Sequence, residues 1–268
     1  MEILYIIIFF ILGSVMGSFY AVIGDRLPKK ENFTTSRSHC DSCGHELKFY
    51  DMIPIISYII YKGRCRYCKK KIPVIVFLSE LFTGVLFAVS YYSFSFSLDL
   101  LIALGVVSLL VIVIVSDVTY FVIPDEVLIF FSIYFIVIDL LNIGFIDTLK
   151  RIGGGLFLFA LMYLISVLGK IIFKKEALGG GDVKLMFVFG LVLEPLLGVT
   201  SIFLGSLIAL PVAIVILVTN REHMIPFGPF LLIAFAIIYF TKIDSNDLIN
   251  LITLDRLYST KKFFEKVF

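Results

Sequence analysis

Charge is what this 268-residue sequence has least of: Asp, Glu, Lys and Arg make up 16% of it, against 60% hydrophobic residues. A water-soluble core of that length cannot hide so much apolar surface, which excludes a soluble globular domain and makes the bilayer part of the solvent. Net charge is only +2, so bulk charge says nothing about nucleic acid, and no such partner is expected. The first segment, Met1 to Ile23, lacks the basic start and the Ala-x-Ala-like cleavage site of a removable signal peptide, although Gly13, Ser14 and Gly17 are small. With Glu2 as its one charge, it is expected to remain as a transmembrane helix. Internal repeats, low-complexity tracts and a Rossmann-type glycine fingerprint are also missing.

What is present is a series of apolar runs, near 1–23, 72–93, 98–116, 126–143, 152–173, 183–197, 199–218 and 228–241. A hydrocarbon core of about 30 Å takes roughly 20 apolar residues per helix. The expectation is an all-α polytopic membrane protein of about eight transmembrane helices. It divides into a first helix (1–23), a polar loop (24–71), a helical bundle (72–241) and a C-terminal tail (242–268). The loop carries Arg26, Lys29, Lys30, Arg37, Lys48, Lys62, Arg64, Arg66, Lys69, Lys70 and Lys71, eleven of the 23 basic residues. Lys and Arg resist translocation, so the loop is expected on the cytoplasmic side. Alternation then places Lys174, Lys175 and Arg221 on the same side. It leaves the tail, with Lys261, Lys262 and Lys266, outside; seven spans would put that tail inside. The glycines at 153–155 are read as close helix packing.

The four cysteines fall in that one loop, as Cys40-Asp-Ser-Cys43 and Cys65-Arg-Tyr-Cys68. Each C-x-x-C pair can grip one metal ion from a tight turn, and two pairs complete a tetrahedral set. Gly44 suits a turn around thiolates, and Arg64, Arg66 and Lys69 favour the thiolate form. The competing reading is two disulfides or four free thiols, and a reducing compartment argues against stable disulfides. The expectation is structural Zn2+ held by Cys40, Cys43, Cys65 and Cys68, with His45 a loop residue. A loop this small has little core, and a metal would order it.

Two aspartates stand at ends of apolar runs. Asp117 follows the third, and Asp182 opens the sixth after Gly179, Gly180 and Gly181. Ionisable groups at such depths are costly unless they face a partner or a wet cavity. Two carboxylates brought to one site hold a single proton between them, the arrangement of an aspartic protease. Glycines beside Asp182 would let an extended substrate backbone lie close. The bland readings stand next to these: Asp182 as a helix N-cap, Asp117 as an interfacial residue reaching water, and Asp125 after Pro124 as a helix start.

The motifs resemble those of the bacterial type IV prepilin leader peptidases, from about Gly17 to Gly190. Gly17-Ser-Phe19 with Arg26-Leu-Pro28 resembles the family pattern at the end of the first span. Arg37-Ser-x-Cys40-x-x-Cys43-Gly-His45, Ile53-Pro54-Ile-Ile-Ser57, Gly63-Arg64-Cys65-Arg66-x-Cys68 and Glu80-Leu-x-Thr-Gly84 continue it. Asp117 with Ile123-Pro124-Asp125, then Gly179-Gly-Gly-Asp182-Val-Lys184, supply two aspartate motifs. The resemblance implies a GxGD-type aspartic peptidase of the bacterial inner membrane with Asp117 and Asp182 as the catalytic pair. It implies prepilin or pseudopilin substrates, cut at the cytoplasmic face after the glycine that precedes their apolar helix. It also implies N-methylation of the new terminus from S-adenosylmethionine, with Gly63 and Arg64 at positions linked to that activity. Arg64 stands where the family often has lysine, Ala21 where it usually has asparagine, and Asp41 where proline is common.

A basic leader is not attracted by the basic loop, which is expected instead to lie on anionic membrane lipids. The competing class is a transporter using Asp117 and Asp182 to bind a cation. Transport favours ionisable residues near the midplane on interrupted helices, whereas these two sit at the ends of runs.

Overall fold

The computed structural model describes residues 1–31, 38–40, 42–174, 178–219 and 225–252. Arg37, Asp41, Lys175, Arg221 and the tail residues Lys261, Lys262 and Lys266 lie outside them. The helices are α1 (Glu2–Arg26), α2 (Ile56–Ile60), α3 (Val74–Phe94), α4 (Leu98–Tyr120) and α5 (Asp125–Asn142). They continue as α6 (Phe145–Phe173), α7 (Gly180–Val192), α8 (Pro195–Val218), α9 (Gly228–Thr241) and α10 (Ser245–Ile252). No strand occurs among the described residues, only isolated bridges at His39–Glu46 and Arg64–Lys71. The all-α expectation is met.

Each predicted apolar run is largely helical, and five helices among the described residues are long and apolar enough to cross a membrane: α1, α3, α4, α6 and α8. α5 carries three acids, Asp125, Glu126 and Asp139, within 18 residues. α7 and α9 have 13 and 14 residues, about 20 Å at 1.5 Å per residue against the ~30 Å of a hydrocarbon core. The boundary between the sixth and seventh runs falls earlier than 197/199: α7 ends at Val192 and α8 starts at Pro195. Proline suits that start because its missing N–H falls where no helical partner exists.

The residues group into two compact units, Met1–Leu100 with Val106–Pro124, and Leu101–Gly105 with Asp125–Phe268. In the first, α1 lies on α3 through small residues. A Cβ added at Gly13 would fall 2.6 Å from the Thr83 carbonyl, and one at Gly17 would fall 2.6 Å from the Ser79 carbonyl. In lipid, where apolar surface gives no drive for association, such backbone approach supplies the packing. Further along α1, Tyr20 Oη accepts a 2.7 Å hydrogen bond from Ser108 Oγ of α4. Ser97 caps α4, its hydroxyl accepting from Leu100 N–H, and the helix stops where Phe121 turns left-handed.

In the second unit, α5 and α6 form a hairpin through Gly144, whose φ of 82° needs a residue without Cβ. Arg151 of α6 reaches Asp139 of α5 at 2.8 Å, and Asp139 is 1% exposed. α6 meets α7 closely at Gly155, where a Cβ would stand 2.8 Å from the Phe187 carbonyl. The predicted packing role of this glycine run is thereby met at Gly155, while Gly153 faces open space.

Candidate active site and metal centre

Asp117 belongs to the first unit, inside the last turn of α4 and buried. One turn on, the Tyr120 hydroxyl donates to Asp25 at the end of α1, and Lys29 pairs with the same carboxylate at 2.9 Å. The Tyr120 hydroxyl, and then the Asp25 carboxylate, hold the Lys29 ammonium above its ordinary range. The helix end that carries Asp117 is thus tied to the end of α1.

Asp182 belongs to the second unit and is also buried. It does not cap its helix. The cap position is Gly179, which makes no side-chain bond, and Asp182 is the third residue of α7. Three residues of glycine backbone put the chain into the helix before the carboxylate arrives. Its charge there still meets the positive end of the helix dipole. A Cβ at Gly179 would come within 3.2 Å of Asp182 Oδ2, whereas one at Gly180 would meet nothing within 4 Å. Gly181 is the second residue of α7. Lys184 is exposed and holds both oxygens of Asp125 at 2.7 Å. That pair joins the start of α5 to the first turns of α7, and because it is exposed it is worth about 0–1 kcal/mol.

The four cysteines come together. Their sulfurs all lie within 4.8 Å of one another, and Cys40 and Cys68 are 3.8 Å apart. A tetrahedron with Zn–S bonds of about 2.3 Å has edges of about 3.8 Å, so the donor set fits zinc. Each pair sits in the same kind of turn. Gly44 N–H donates to Cys40 O and Lys69 N–H to Cys65 O, at 2.8 and 3.0 Å. Gly44 and Lys69 occupy matching left-handed positions, φ 68° and 61°. The Ser42 N–H lowers the Cys40 thiol to about 7. At Cys43 the His45 N–H pulls downward, but desolvation and the neighbouring thiols outweigh it and push that group up to about 11. Sulfurs this close resist charging together, and a divalent cation removes that conflict. His45 is not among the grouped donors; its ring lies 3.6 Å from that of Tyr67.

Around the cysteines, Asp51 is a hub. Its Oδ2 accepts from Lys48 N–H and from Tyr67 Oη, both at 3.2 Å, and Arg66 stands 3.8 Å from Oδ1. Gly63, at φ 65°, lies under Tyr58, whose ring a Cβ would meet at 2.8 Å. Arg64 is exposed on a cleft of about 440 Å³ lined by Ile60, Tyr61, Lys62, Arg64, Cys65, Arg66 and Lys69. α2 is fastened to α3 at two points: Tyr58 stacks on Phe77 with centroids 4.9 Å apart, and Glu80 accepts from Ile55 N–H at 2.7 Å. Ile55 stands at φ 63°, ψ −53°, the centre of a γ-turn closed by Ile56 N–H to Pro54 O at 2.5 Å. That conformation is rare and strained.

Residues 11–94 match the bacterial peptidase A24 N-terminal domain, and residues 104–214, which hold both aspartates, match the type IV leader peptidase family. A prepilin leader peptidase/N-methyltransferase of Bacillus subtilis (strain 168) is 33% identical over 228 residues, covering 83% of this chain and 88% of that protein. The chain belongs to the type IV leader peptidase family. A relative of the same description from Vibrio cholerae is 29% identical over 255 residues, 90% of this chain and 98% of its own. One from Myxococcus xanthus is 34% identical over 200 residues, 73% of this chain and 59% of its own. No solved structure matches. As a leader peptidase family member the chain is an enzyme, and its five apolar helices make it a multi-pass membrane protein.

Asp117 and Asp182 lie in different units of this leader peptidase relative, while the cysteines, Gly63, Arg64 and Glu80 share the first. Three polar contacts join residues that no motif or run links: Glu80 with Ile55, Asp139 with Arg151, and Lys184 with Asp125. Glu80 and Asp139 each had a visible signal, an acid inside an apolar run, which is costly unless partnered.

Proposed function

We propose that this chain is a membrane aspartic endopeptidase that removes the leader of prepilin or pseudopilin proteins at the cytoplasmic face and N-methylates the exposed terminus. The observation that carries the reading is the family match across both aspartates, each of them a buried carboxylate at a helix end. Asp117 and Asp182 are the catalytic pair, sharing one proton. The ionised carboxylate takes a proton from water as the water oxygen attacks the scissile carbonyl carbon, and the protonated one gives its proton to the carbonyl oxygen. On collapse the C–N bond breaks and the leaving nitrogen takes a proton back. Gly179, Gly180 and Gly181 leave room for an extended substrate backbone, a role that the open space around Gly180 suits.

Cys40, Cys43, Cys65 and Cys68 hold a structural Zn2+, which fixes the loop and supplies no chemistry to cleavage. Eight membrane segments, with the short α7 and α9 among them, and a cytoplasmic cysteine loop complete the topology. The basic residues of the loop support that sidedness. Gly63 and Arg64 are linked to methyl transfer by the family pattern. The methyl donor is S-adenosylmethionine, consumed as a co-substrate. The cleft beside Arg64 does not fit it: four cations and no acid line that cleft, and the donor carries a sulfonium charge.

The test is co-expression with a prepilin. Asp117→Asn and Asp182→Asn, which keep side-chain size, should each abolish leader removal while the protein still accumulates in the membrane. Persisting cleavage in either variant sinks the pair. Mass spectrometry of the mature N-terminus reads methylation separately, and a terminus without the added methyl in wild-type cells refutes that half.

A further inference from the structure

The loop between α1 and α3 holds a second feature that neither cleavage nor metal binding uses. Ile56, Ile59 and Ile60 are 54%, 61% and 65% exposed, and their i, i+3, i+4 spacing places them on one face of α2. Tyr58 points the other way, onto Phe77. An exposed patch of three isoleucines on five residues marks an interaction surface. The cationic cleft adjoins it and shares Ile60 with it. Arg66 stands near Asp51, but Lys62, Arg64 and Lys69 have no carboxylate partner among the described residues and are exposed.

The contacts with α3 set the depth of this surface. Phe77 and Glu80 lie three and six residues into a helix long and apolar enough to cross a membrane. Glu80 is therefore about 9 Å along α3 from its first residue. A helix fastened at that level lies beside the outermost part of a span, where amphipathic helices bury their apolar face about 5–10 Å into the headgroup boundary.

We propose that α2 is an interfacial helix seated in the leaflet around α3, and that the cleft of Lys62, Arg64, Arg66 and Lys69 binds the phosphate of an anionic phospholipid of that leaflet. The isoleucines meet acyl chains while the cations meet the headgroup, one occupant satisfying both halves of the surface. A basic leader peptide would be repelled by the same cations. The Glu80–Ile55 bond and the Tyr58–Phe77 stack orient α2, presenting Ile56, Ile59 and Ile60 outward. The inference concerns lipid contact alone and stands apart from the peptidase reading.

The chain has no tryptophan, so Ile59→Trp introduces a lone indole, with Ile60→Trp as a second reporter should the first fail to fold. The full chain is placed in nanodiscs of phosphatidylcholine with phosphatidylglycerol, carrying bromine on the acyl chains of one lipid or the other. The expected result is quenching by acyl-chain bromine, as for a side chain at acyl-chain depth. At equal bromine content the quenching should be stronger from phosphatidylglycerol. Lys62→Glu with Lys69→Glu should remove that preference, each cation near the surface being worth about fivefold in anionic-lipid affinity, and should leave the quenching itself. An indole open to an aqueous quencher and untouched by bromine overturns the proposal. So does quenching that appears only after a prepilin peptide is added, which would give the surface to substrate. A lipid preference unmoved by the charge reversals overturns the phosphate cleft.

Discussion

Glu80→Ala should release α2 from α3 without unfolding the protein. Ile55, a β-branched residue at φ 63°, carries strain of roughly 1–3 kcal/mol. Its N–H bond to the Glu80 carboxylate returns about 1.5–3 kcal/mol, the range for hydrogen bonds to charged groups. The two nearly balance, so the turn persists only while Glu80 is present. The Tyr58–Phe77 stack adds about 0.5–1.5 kcal/mol beyond its buried area. Losing the carboxylate therefore costs the local structure about 1.5–3 kcal/mol, or a roughly 10- to 100-fold fall in amide protection over residues 55–60. Glu80→Gln keeps an acceptor but not the charge and should lose about 0.5–1.5 kcal/mol. Ile55→Gly relieves the strain and should restore part of the protection in the Glu80→Ala background. Hydrogen exchange with mass spectrometry on the full chain in nanodiscs reads these changes peptide by peptide. Unchanged exchange over 55–60 in Glu80→Ala would refute the reasoning, as would Ile55→Gly costing more than Glu80→Ala.

Arg151→Ala strips the guanidinium from a carboxylate that is 1% exposed and should destabilise the α5–α6 hairpin by about 3–5 kcal/mol. Asp139→Ala should cost less, because the Arg151 side chain is 32% exposed and its long stem can carry the charge to water. The double variant should recover part of the loss, and equal, additive costs in denaturant unfolding would contradict this. For the metal centre, the purified chain should carry about one zinc per molecule, the stoichiometry of a closed four-thiolate site. Chelation should speed exchange in the two turns around Cys40–Gly44 and Cys65–Lys69 first. A metal-free protein with both turns fully protected would remove the structural role.

Much of this architecture is written locally. Hydropathy over about 20 residues marks the long helices, because the bilayer forces every backbone polar group into an internal bond, but it gives no sign of α2 or α10. The C-x-x-C spacing brings each thiol pair together within its own turn, and the positions of Asp117 and Asp182 at the ends of apolar runs need no partner to be seen. Cap position was already beyond the sequence: Asp182 had the right residue type for an N-cap, yet the backbone bends at Gly179 instead. Pairing across helices was further out of reach. Glu80 meets an amide 25 positions away, Lys184 meets a carboxylate 59 positions away, and both depend on how each helix is rotated about its axis. α1, α4 and α7 are apolar on every side, so no stripe of polarity announces which face turns inward. On α1, Gly13 and Gly17 decide that face by letting α3 approach. Local chemistry thus determined what the segments are and where they end. Rotation and register, settled by close packing between backbones, decided which polar groups meet.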